Sequence, residues 1–284
     1  MADAARLDPR ITPARGDIAA AFLRGQVTAA RYVEGEIFAV IAPQAPMRRA
    51  PRPDAVLDTE ALYGERITVY DRTEDGWAWG QLEQDGYVGW IPEAALARPG
   101  PMPTHKVAAL RTLIFPGPSI KLPPLEMLPF GAMLAVETLA PPFAVLAAGG
   151  HVPLVHLVPV SHTEADPVAV AERLLGAPYL WGGRSSLGLD CSALVQTALT
   201  ACGISCPRDS DMQEAALGRA IDMQEIRGGD LLFWPGHVAM ARDAMTMIHA
   251  NAFHMAVAIE PIEVALARIA ASGSTLSSVR RVMD

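Results

Sequence analysis

The chain has 284 residues, of which 51% are hydrophobic, and its formal net charge at pH 7 is −8. This length allows two or three domains, and the apolar fraction is sufficient for a buried core. A net negative charge disfavours binding to nucleic acid or to an anionic membrane surface, because both require a basic face. We therefore expect no nucleic-acid partner and no membrane partner.

Residues 1–36 form an N-terminal segment in which acidic and basic side chains are mixed. Its longest apolar run, Ile18–Leu23, is shorter than the core of a secretory signal, and no later run approaches the length of a membrane span. The three cysteines lack the spacing of a disulfide framework and are typical of reduced thiols. Together these features indicate a cytoplasmic protein. The pattern over Asp17–Arg31 predicts a short helix, which makes this segment partly helical.

Residues 37–99 consist of short apolar runs separated by proline, glycine and aspartate. Two aromatic-rich runs flank the Asp85-Gly86 dipeptide, which favours a tight hairpin turn, and Arg66–Tyr70 alternates as a further strand. This region is predicted to form a small half-open β-barrel. Its core, rather than a ligand platform, is the expected place of Trp77, Trp79 and Trp90.

Residues 100–162 repeat this pattern more faintly. Phe143–Ala147 and His151–Val160 are predicted strands that flank a glycine turn, and Gly150 lies 64 residues after Gly86. The second copy lacks tryptophans. We therefore expect a second, degenerate barrel.

Residues 163–284 begin with helical patterns and continue with strands. One helix is predicted over Val168–Leu175, and a second begins after Asp190 and ends before Gly203. Helices followed by antiparallel strands define the α+β class. The predicted strands are Asp230–Trp234, His237–Ala241, Met247–Ala250 and Ser278–Val282.

Cys191 directly follows Asp190, whose carboxylate is placed to cap the second helix. The thiol then lies in the first helical turn, where unpaired N–H groups and the helix dipole favour an anion and lower the thiol pKa. A cysteine in such a place is, by itself, more often a small buried side chain than a nucleophile. Cys202 and Cys206 lack this setting; Cys202 is expected in the core.

A thiol nucleophile needs a base, and the base needs a partner that orients it. His237 begins one predicted strand and His249 ends the next, with a turn near Asp243 between them. A hairpin through that turn would bring the two imidazoles together. Cys191, His237 and His249 are therefore the predicted catalytic residues.

Four sequence blocks resemble the NlpC/P60 family of cysteine peptidases. Cys191 and His237 are 46 residues apart, and His249 follows 12 residues later, which is similar to the spacing in that family. The resemblance covers residues 167–284 and implies a papain-like catalytic domain. Ala193 stands where the family usually has glycine. The blocks are YLWGG (179–183) with DCSALVQ (190–196), PRDSDMQ (207–213), GDLLF with HVAM (229–233 and 237–240), and IHA (248–250).

The upstream barrels then resemble bacterial SH3-like domains. The segments DTEALYG (58–64) and GYVGW (86–90) are similar to the first such domain of γ-D-glutamyl-L-diamino acid endopeptidases of the dipeptidyl-peptidase VI type. In that subgroup an acid and a tyrosine of the first barrel, with an acid of the catalytic domain, hold the free N-terminal amine of the substrate. They correspond here to Asp58, Tyr87 and Asp209. Aspartate at position 58 replaces the familiar glutamate, and its shorter reach weakens the match there.

This resemblance implies hydrolysis of the γ-D-glutamyl–diamino acid bond in murein peptides, with release of L-Ala-D-Glu, as part of murein peptide recycling. Tyr179 is expected to add a donor beside the nucleophile, and Ser210 and Trp181 to line the substrate pocket. No metal or other cofactor is expected. Another amidase or acyltransferase activity, or a binding module with an idle thiol, remains an alternative. Neither the diamino acid accepted nor the oligomeric state is indicated.

Overall fold

The computed structural model describes residues 7–283. The chain divides into two compact units, one up to Val160 and one from Ser161. Within the described range, no helix is long and apolar enough to cross a bilayer. The predicted domain limits inside the first unit, at residues 36 and 99, stay predictions.

The N-terminal segment does not form the predicted helix over Asp17–Arg31. Instead β1 (Ile18–Ala20) pairs in parallel with β2 (Arg31–Val33), and a single 3₁₀ turn lies between them. The guanidinium carbon of Arg15 lies 4.5 Å from the Trp79 ring centroid and 4.9 Å from that of Trp90. Packing of this segment on the following sheet therefore overrides its local helical pattern.

The next segment of the first unit is a seven-stranded antiparallel sheet in the order β5-β4-β8-β7-β6-β3-β9. The predicted hairpin is present: Trp79 pairs with Trp90, and Gly86 in the turn has a positive φ of 75°. Trp77 and Trp79 are buried and Trp90 is half-buried beneath Arg15. The strands are β3 (Glu36–Val40), β4 (Gln44–Arg48), β5 (Leu57–Leu62), β6 (Arg66–Arg72), β7 (Trp77–Leu82), β8 (Val88–Pro92) and β9 (Leu96–Ala97).

The last segment of the first unit has short strands in three small sheets around a shared apolar core. The predicted strand after Gly150 is interrupted by a 3₁₀ turn at Leu154–His156. A second barrel over residues 100–162 stays a prediction. The strands are β10 (His105–Val107), β11 (Arg111–Ile114), β12 (Glu126–Pro129), β13 (Met133–Leu134), β14 (Val136–Ala140), β15 (Phe143–Leu146), β16 (His151–Pro153) and β17 (Leu157–Pro159).

The second unit is an α+β fold with a six-stranded sheet in the order β20-β25-β21-β22-β23-β24. The predicted helices and strands are present within one or two residues at most ends, whereas α3, β24 and α4 were not predicted. The elements are α1 (Pro167–Glu172), β18 (Arg184–Ser185), β19 (Gly188–Leu189), α2 (Cys191–Ala201), α3 (Ser210–Ala216), β20 (Arg219–Ala220), β21 (Leu231–Trp234), β22 (His237–Ala241), β23 (Thr246–Asn251), β24 (Ala256–Pro261), α4 (Ile262–Ala271) and β25 (Ser278–Arg281).

Gly64 and Gly76 form a matched pair for testing the packing of the first unit. Both have positive φ, at 83° and 80°. A Cβ at Gly64 would overlap the Met133 carbonyl group, whereas a Cβ at Gly76 would meet no atom. Gly76→Ala is expected to lower the free energy of unfolding by about 1–2 kcal/mol through backbone strain. Gly64→Ala should lower it by roughly a further 1–3 kcal/mol because of the overlap.

Urea denaturation of the two variants and the wild type measures the loss of unfolding free energy in each variant. Equal losses in the two variants would mean that the Gly64–Met133 contact contributes nothing.

Candidate active site

The helix that carries Cys191 begins as the sequence predicted. Asp190 has extended backbone angles, and its Oδ1 accepts a hydrogen bond of 2.8 Å from the Ala193 N–H, so it caps α2. Gly203, with a φ of 80°, follows the other end of the helix. Cys191 is thereby fixed as the first residue of α2, and its side chain is buried.

The same carboxylate is held by a buried ion pair. Arg208 is 1% exposed and donates to both oxygens of Asp190, over 2.9 and 2.8 Å. Asp190 Oδ2 also accepts from the Gly182 N–H at 2.9 Å, and Arg208 donates to Ser192 Oγ at 2.9 Å. This network joins the loop before the cysteine, the start of α2 and the chain just before α3.

The two predicted histidines meet on one face of the sheet. His249 pairs with Ala258 in β24, and the register of β22 and β23 places it diagonally from His237. The hairpin turn between the strands is closed by Asp243, whose Oδ1 accepts from two backbone N–H groups at 2.7 Å. His237 Nε2 lies 2.9 Å from His249 Nδ1. The predicted hairpin and the predicted proximity of the imidazoles are both present.

A carboxylate that the sequence did not reveal continues this chain. His249 Nε2 lies 2.7 Å from Glu260 Oε1, and Arg268 of α4 donates to the same oxygen. His249 is 0% exposed and Glu260 is 7% exposed. The polar groups therefore run in sequence from His237 through His249 and Glu260 to Arg268.

The electrostatics of the thiol differ from the prediction. Burial, followed by the charge of Asp190, raises the pKa of Cys191 to about 12. Hydrogen bonds from the Val238 and Ser192 N–H groups and the charge of Arg208 act in the opposite direction but are smaller. The expected lowering of the thiol pKa was wrong because desolvation outweighs the helix start. The local sequence around Cys191 indicates the helix start but does not reveal the burial of the thiol.

Both imidazoles are neutral at pH 7 in this environment. Burial lowers the pKa of His237 to about 3, with further lowering by His249 and Arg268, while Glu260 raises it. Burial likewise lowers the pKa of His249 to about 3, and Arg268 and His254 add to this effect. In the resting state the thiol and both imidazoles are thus neutral.

The residues expected around the nucleophile in the second unit lie near the start of α2. Burial, followed by the charges of Cys191 and Asp190, raises the pKa of Tyr179 to about 12. Asp209 is the N-cap residue of α3 and Ser210 is its first residue; both are half-buried. Trp181 is 60% exposed.

Gln213 connects α3 to the start of α2, because its Nε2 donates to the Ser192 carbonyl at 2.9 Å. This contact places Asp209 and Ser210, one helical turn earlier, at the cysteine end of the site. Their roles toward a substrate stay predictions.

The two expected contributors from the first unit have their own local partners. Asp58, on β5, accepts a hydrogen bond of 2.6 Å from Arg49, whose side chain is exposed. Tyr87 is buried and belongs to the apolar core of the seven-stranded sheet. Their roles in substrate binding also stay predictions.

The other two cysteines differ in part from expectation. Cys202 is the C-cap residue of α2 and is half-buried rather than in the core. Cys206, in the following loop, is buried.

One group of side chains has the composition of a metal site. The ligand atoms of His249, His254 and Glu260 lie within 4.8 Å of one another. However, Glu260 already accepts from the Arg268 guanidinium, and His254 Nδ1 lies 3.0 Å from Asn251 Oδ1. A metal ion would have to share Glu260 with a permanent cation. We therefore assign His249 and Glu260 to the hydrogen-bonded chain.

Two family models match the chain. Residues 47–96 match the bacterial dipeptidyl-peptidase Sh3 domain, which confirms one SH3-like domain in the first unit. Residues 176–268 match the NlpC/P60 family and include Cys191, His237, His249 and Glu260.

Two similar proteins are bacterial dipeptidyl-peptidases. A γ-D-glutamyl-L-lysine dipeptidyl-peptidase from Bacillus cereus is 30% identical over 245 residues, which cover 72% of this chain and 71% of that protein. Dipeptidyl-peptidase 6 from Lysinibacillus sphaericus is 26% identical over 243 residues, covering 75% of this chain and 86% of that protein.

A crystal structure of an NlpC/P60 family protein from Bacillus cereus has the same fold. It has a TM-score of 0.74 and 22% identity, and the match covers 88% of this chain and 100% of that one. The sequence blocks, the family model and the match to the 30% identical Bacillus cereus dipeptidyl-peptidase agree: the chain belongs to the NlpC/P60 family.

Proposed function

We propose that the chain is a cysteine endopeptidase that cleaves the γ-D-glutamyl–diamino acid bond of murein peptides with a free N-terminal L-Ala, releasing L-Ala-D-Glu. The observation that carries this proposal is the His237–His249 pair, whose Nε2 and Nδ1 atoms lie 2.9 Å apart, together with the buried Cys191 at the capped start of α2. The names of the similar dipeptidyl-peptidases support the substrate class. Recycling of such peptides in the cytoplasm is part of the proposal.

In the proposed reaction the sulfur of Cys191 attacks the γ-carbonyl carbon as the thiol proton moves to His237. The tetrahedral oxyanion is stabilised by backbone N–H groups at the start of α2 and by the Tyr179 hydroxyl. Collapse breaks the C–N bond, and the leaving amine takes the proton from His237. Water then attacks the thioester, gives a proton to His237, and the departing sulfur recovers that proton.

Proton transfer between the two neutral groups creates opposite charges at the moment of attack. The pKa values of about 12 for Cys191 and about 3 for His237 make this transfer unfavourable in the free protein. Substrate binding excludes the remaining water and strengthens the attraction between the new charges. The resting thiol therefore remains protonated until a substrate is in place.

The free amine of L-Ala is proposed to bind carboxylates. An ammonium group removed from water needs a carboxylate partner, and a blocked amine would leave that carboxylate unpaired. Asp209 lies in the same unit as the thiol, whereas the roles of Asp58 and Tyr87 rest on the resemblance alone. Asp58 is paired with Arg49, whose side chain is 70% exposed, so an ammonium group that binds Asp58 would compete with this guanidinium. Ser210 and Trp181 are proposed to line the pocket.

The first test is cleavage of L-Ala-γ-D-Glu-meso-diaminopimelate and of its N-acetylated twin, followed by mass spectrometry. We expect the wild type to release L-Ala-D-Glu from the free peptide only. Cys191→Ala should abolish release, and Cys202→Ala should retain it, because Cys202 lies at the far end of α2.

Cleavage of both peptides would leave the thiol chemistry in place and remove the amine selectivity. An intact free peptide would contradict endopeptidase activity on this substrate and favour another amidase or acyltransferase. Peptide binding without cleavage, together with an unreactive thiol, would favour a binding module.

The amine contacts are tested separately with Asp209→Asn and Asp58→Asn. Each is expected to lower kcat/KM for the free peptide by at least about tenfold, because one charged partner of the ammonium is lost. Tyr87→Phe is expected to give a smaller loss. Steady-state kinetics on the free peptide measures these effects, and unchanged kcat/KM in all three variants would remove the first unit and Asp209 from amine recognition.

The resting protonation state predicts how thiol alkylation depends on pH. Because the thiol pKa is raised to about 12, the thiolate is scarce at pH 7 and grows as pH rises. The iodoacetamide rate at Cys191 should therefore rise roughly tenfold per pH unit through the neutral range. Peptide mapping separates Cys191 from Cys202 and Cys206. A rate that is already constant across this range would reveal a preformed thiolate–imidazolium pair.

A further inference from the structure

We propose that Glu260, together with Arg268, is a positioning element that fixes the tautomers of both histidines and leaves Nδ1 of His237 as the proton acceptor for the thiol. This inference rests on the proposed function and extends it beyond the Cys191, His237 and His249 constellation. Glu260 is hydrogen-bonded to His249, and its proposed effect on the thiol passes through the two imidazoles.

The first step is the polarity of the Glu260–Arg268 pair. Arg268 is a permanent cation and has only donors, and it donates to Glu260 Oε1. The same oxygen lies 2.7 Å from His249 Nε2. An oxygen that is held by a guanidinium acts as an acceptor. His249 Nε2 must therefore carry the proton in this contact.

The second step follows from the neutral state of His249. A neutral imidazole has one N–H and one bare nitrogen, so protonation of Nε2 leaves Nδ1 bare. His249 Nδ1 lies 2.9 Å from His237 Nε2, and His237 must then donate through Nε2. Nδ1 of His237 is left without a proton. The chain of donors thus points from the thiol side towards Glu260.

The third step concerns the charge that appears when His237 takes the thiol proton. His237 and His249 lie in a buried environment that disfavours an imidazolium. Glu260 raises the pKa of His237, whereas burial, His249 and Arg268 lower it, each by more than Glu260 raises it. Glu260 therefore orients the chain and offsets part of the positive charge of Arg268 when the imidazolium forms.

The sheet register explains why this position is available. Glu260 pairs with Met247, and His249 pairs with Ala258, so Glu260 is a diagonal neighbour of His249 on the same face. Residues of α4 pack on that face, since Ile262 and Ala265 share an apolar core with Met247. Arg268, two turns into α4, is thereby placed at Glu260.

The test compares Glu260→Gln with Glu263→Gln, which removes an exposed carboxylate from the same segment. Glu260→Gln should lower kcat for the free peptide by about 10²- to 10³-fold, with little change in KM, because the glutamate does not touch substrate. Glu263→Gln should behave as the wild type. A kcat for Glu260→Gln that stays close to the wild-type value would overturn the proposal.

A second measurement does not depend on substrate or on the folding of a variant. NMR of the ¹⁵N-histidine-labelled wild type at neutral pH reports which imidazole nitrogens carry protons. We expect His237 and His249 both to be neutral and protonated on Nε2. Protonation of His249 on Nδ1 in the wild type would overturn the proposal.

The two measurements separate the possible failures. Absence of peptide cleavage by the wild type would contradict the proposed function, and the tautomers would still decide the role of Glu260. Cleavage with the wrong tautomers would contradict only the role of Glu260.

Discussion

The buried pair of Asp190 and Arg208 is the interaction on which the geometry of the site depends. A buried ion pair is tolerated only when hydrogen bonds satisfy both groups, and here the carboxylate accepts from backbone N–H groups on two sides as well as from the guanidinium. Because these donors come from separate stretches of chain, one pair fixes the loop before Cys191, the start of α2 and the approach to α3. Breaking it would leave an uncompensated charge at the nucleophile.

This constraint has a chemical consequence for the thiol. The carboxylate that fixes Cys191 also lies next to it, and after burial its charge is the second cause of the raised thiol pKa. The Asp190 carboxylate that orders the start of α2 therefore also disfavours the thiolate of Cys191. The start of α2 orients the sulfur but does not ionise it, so in the proposed reaction the proton is taken by His237. In the same proposal the hydrogen-bonded chain through His249 to Glu260 prepares His237 for this step.

The sequence separation between contacting residues decides which features of the site were predictable. The cap at Asp190 and the hairpin between His237 and His249 depend on neighbours within a few residues, and both were predicted. The contact of Glu260 with His249 depends on the register of β24, and that strand was not predicted. Helix α4 was not predicted either, although the spacing of its apolar residues Ile262, Ala265 and Ile269 is typical of a helix.

The errors share one physical cause, which is tertiary contact that local pattern does not report. The N-terminal segment has helical spacing, but stacking of Arg15 on Trp79 and strand pairing stabilise a different backbone. At Cys191 the helix start favours a thiolate, but burial raises the thiol pKa. In both cases a short-range preference worth about 1 kcal/mol competes with desolvation or packing terms that are larger. Residue identity therefore predicts a candidate nucleophile and base, whereas their protonation states follow only from the folded surroundings.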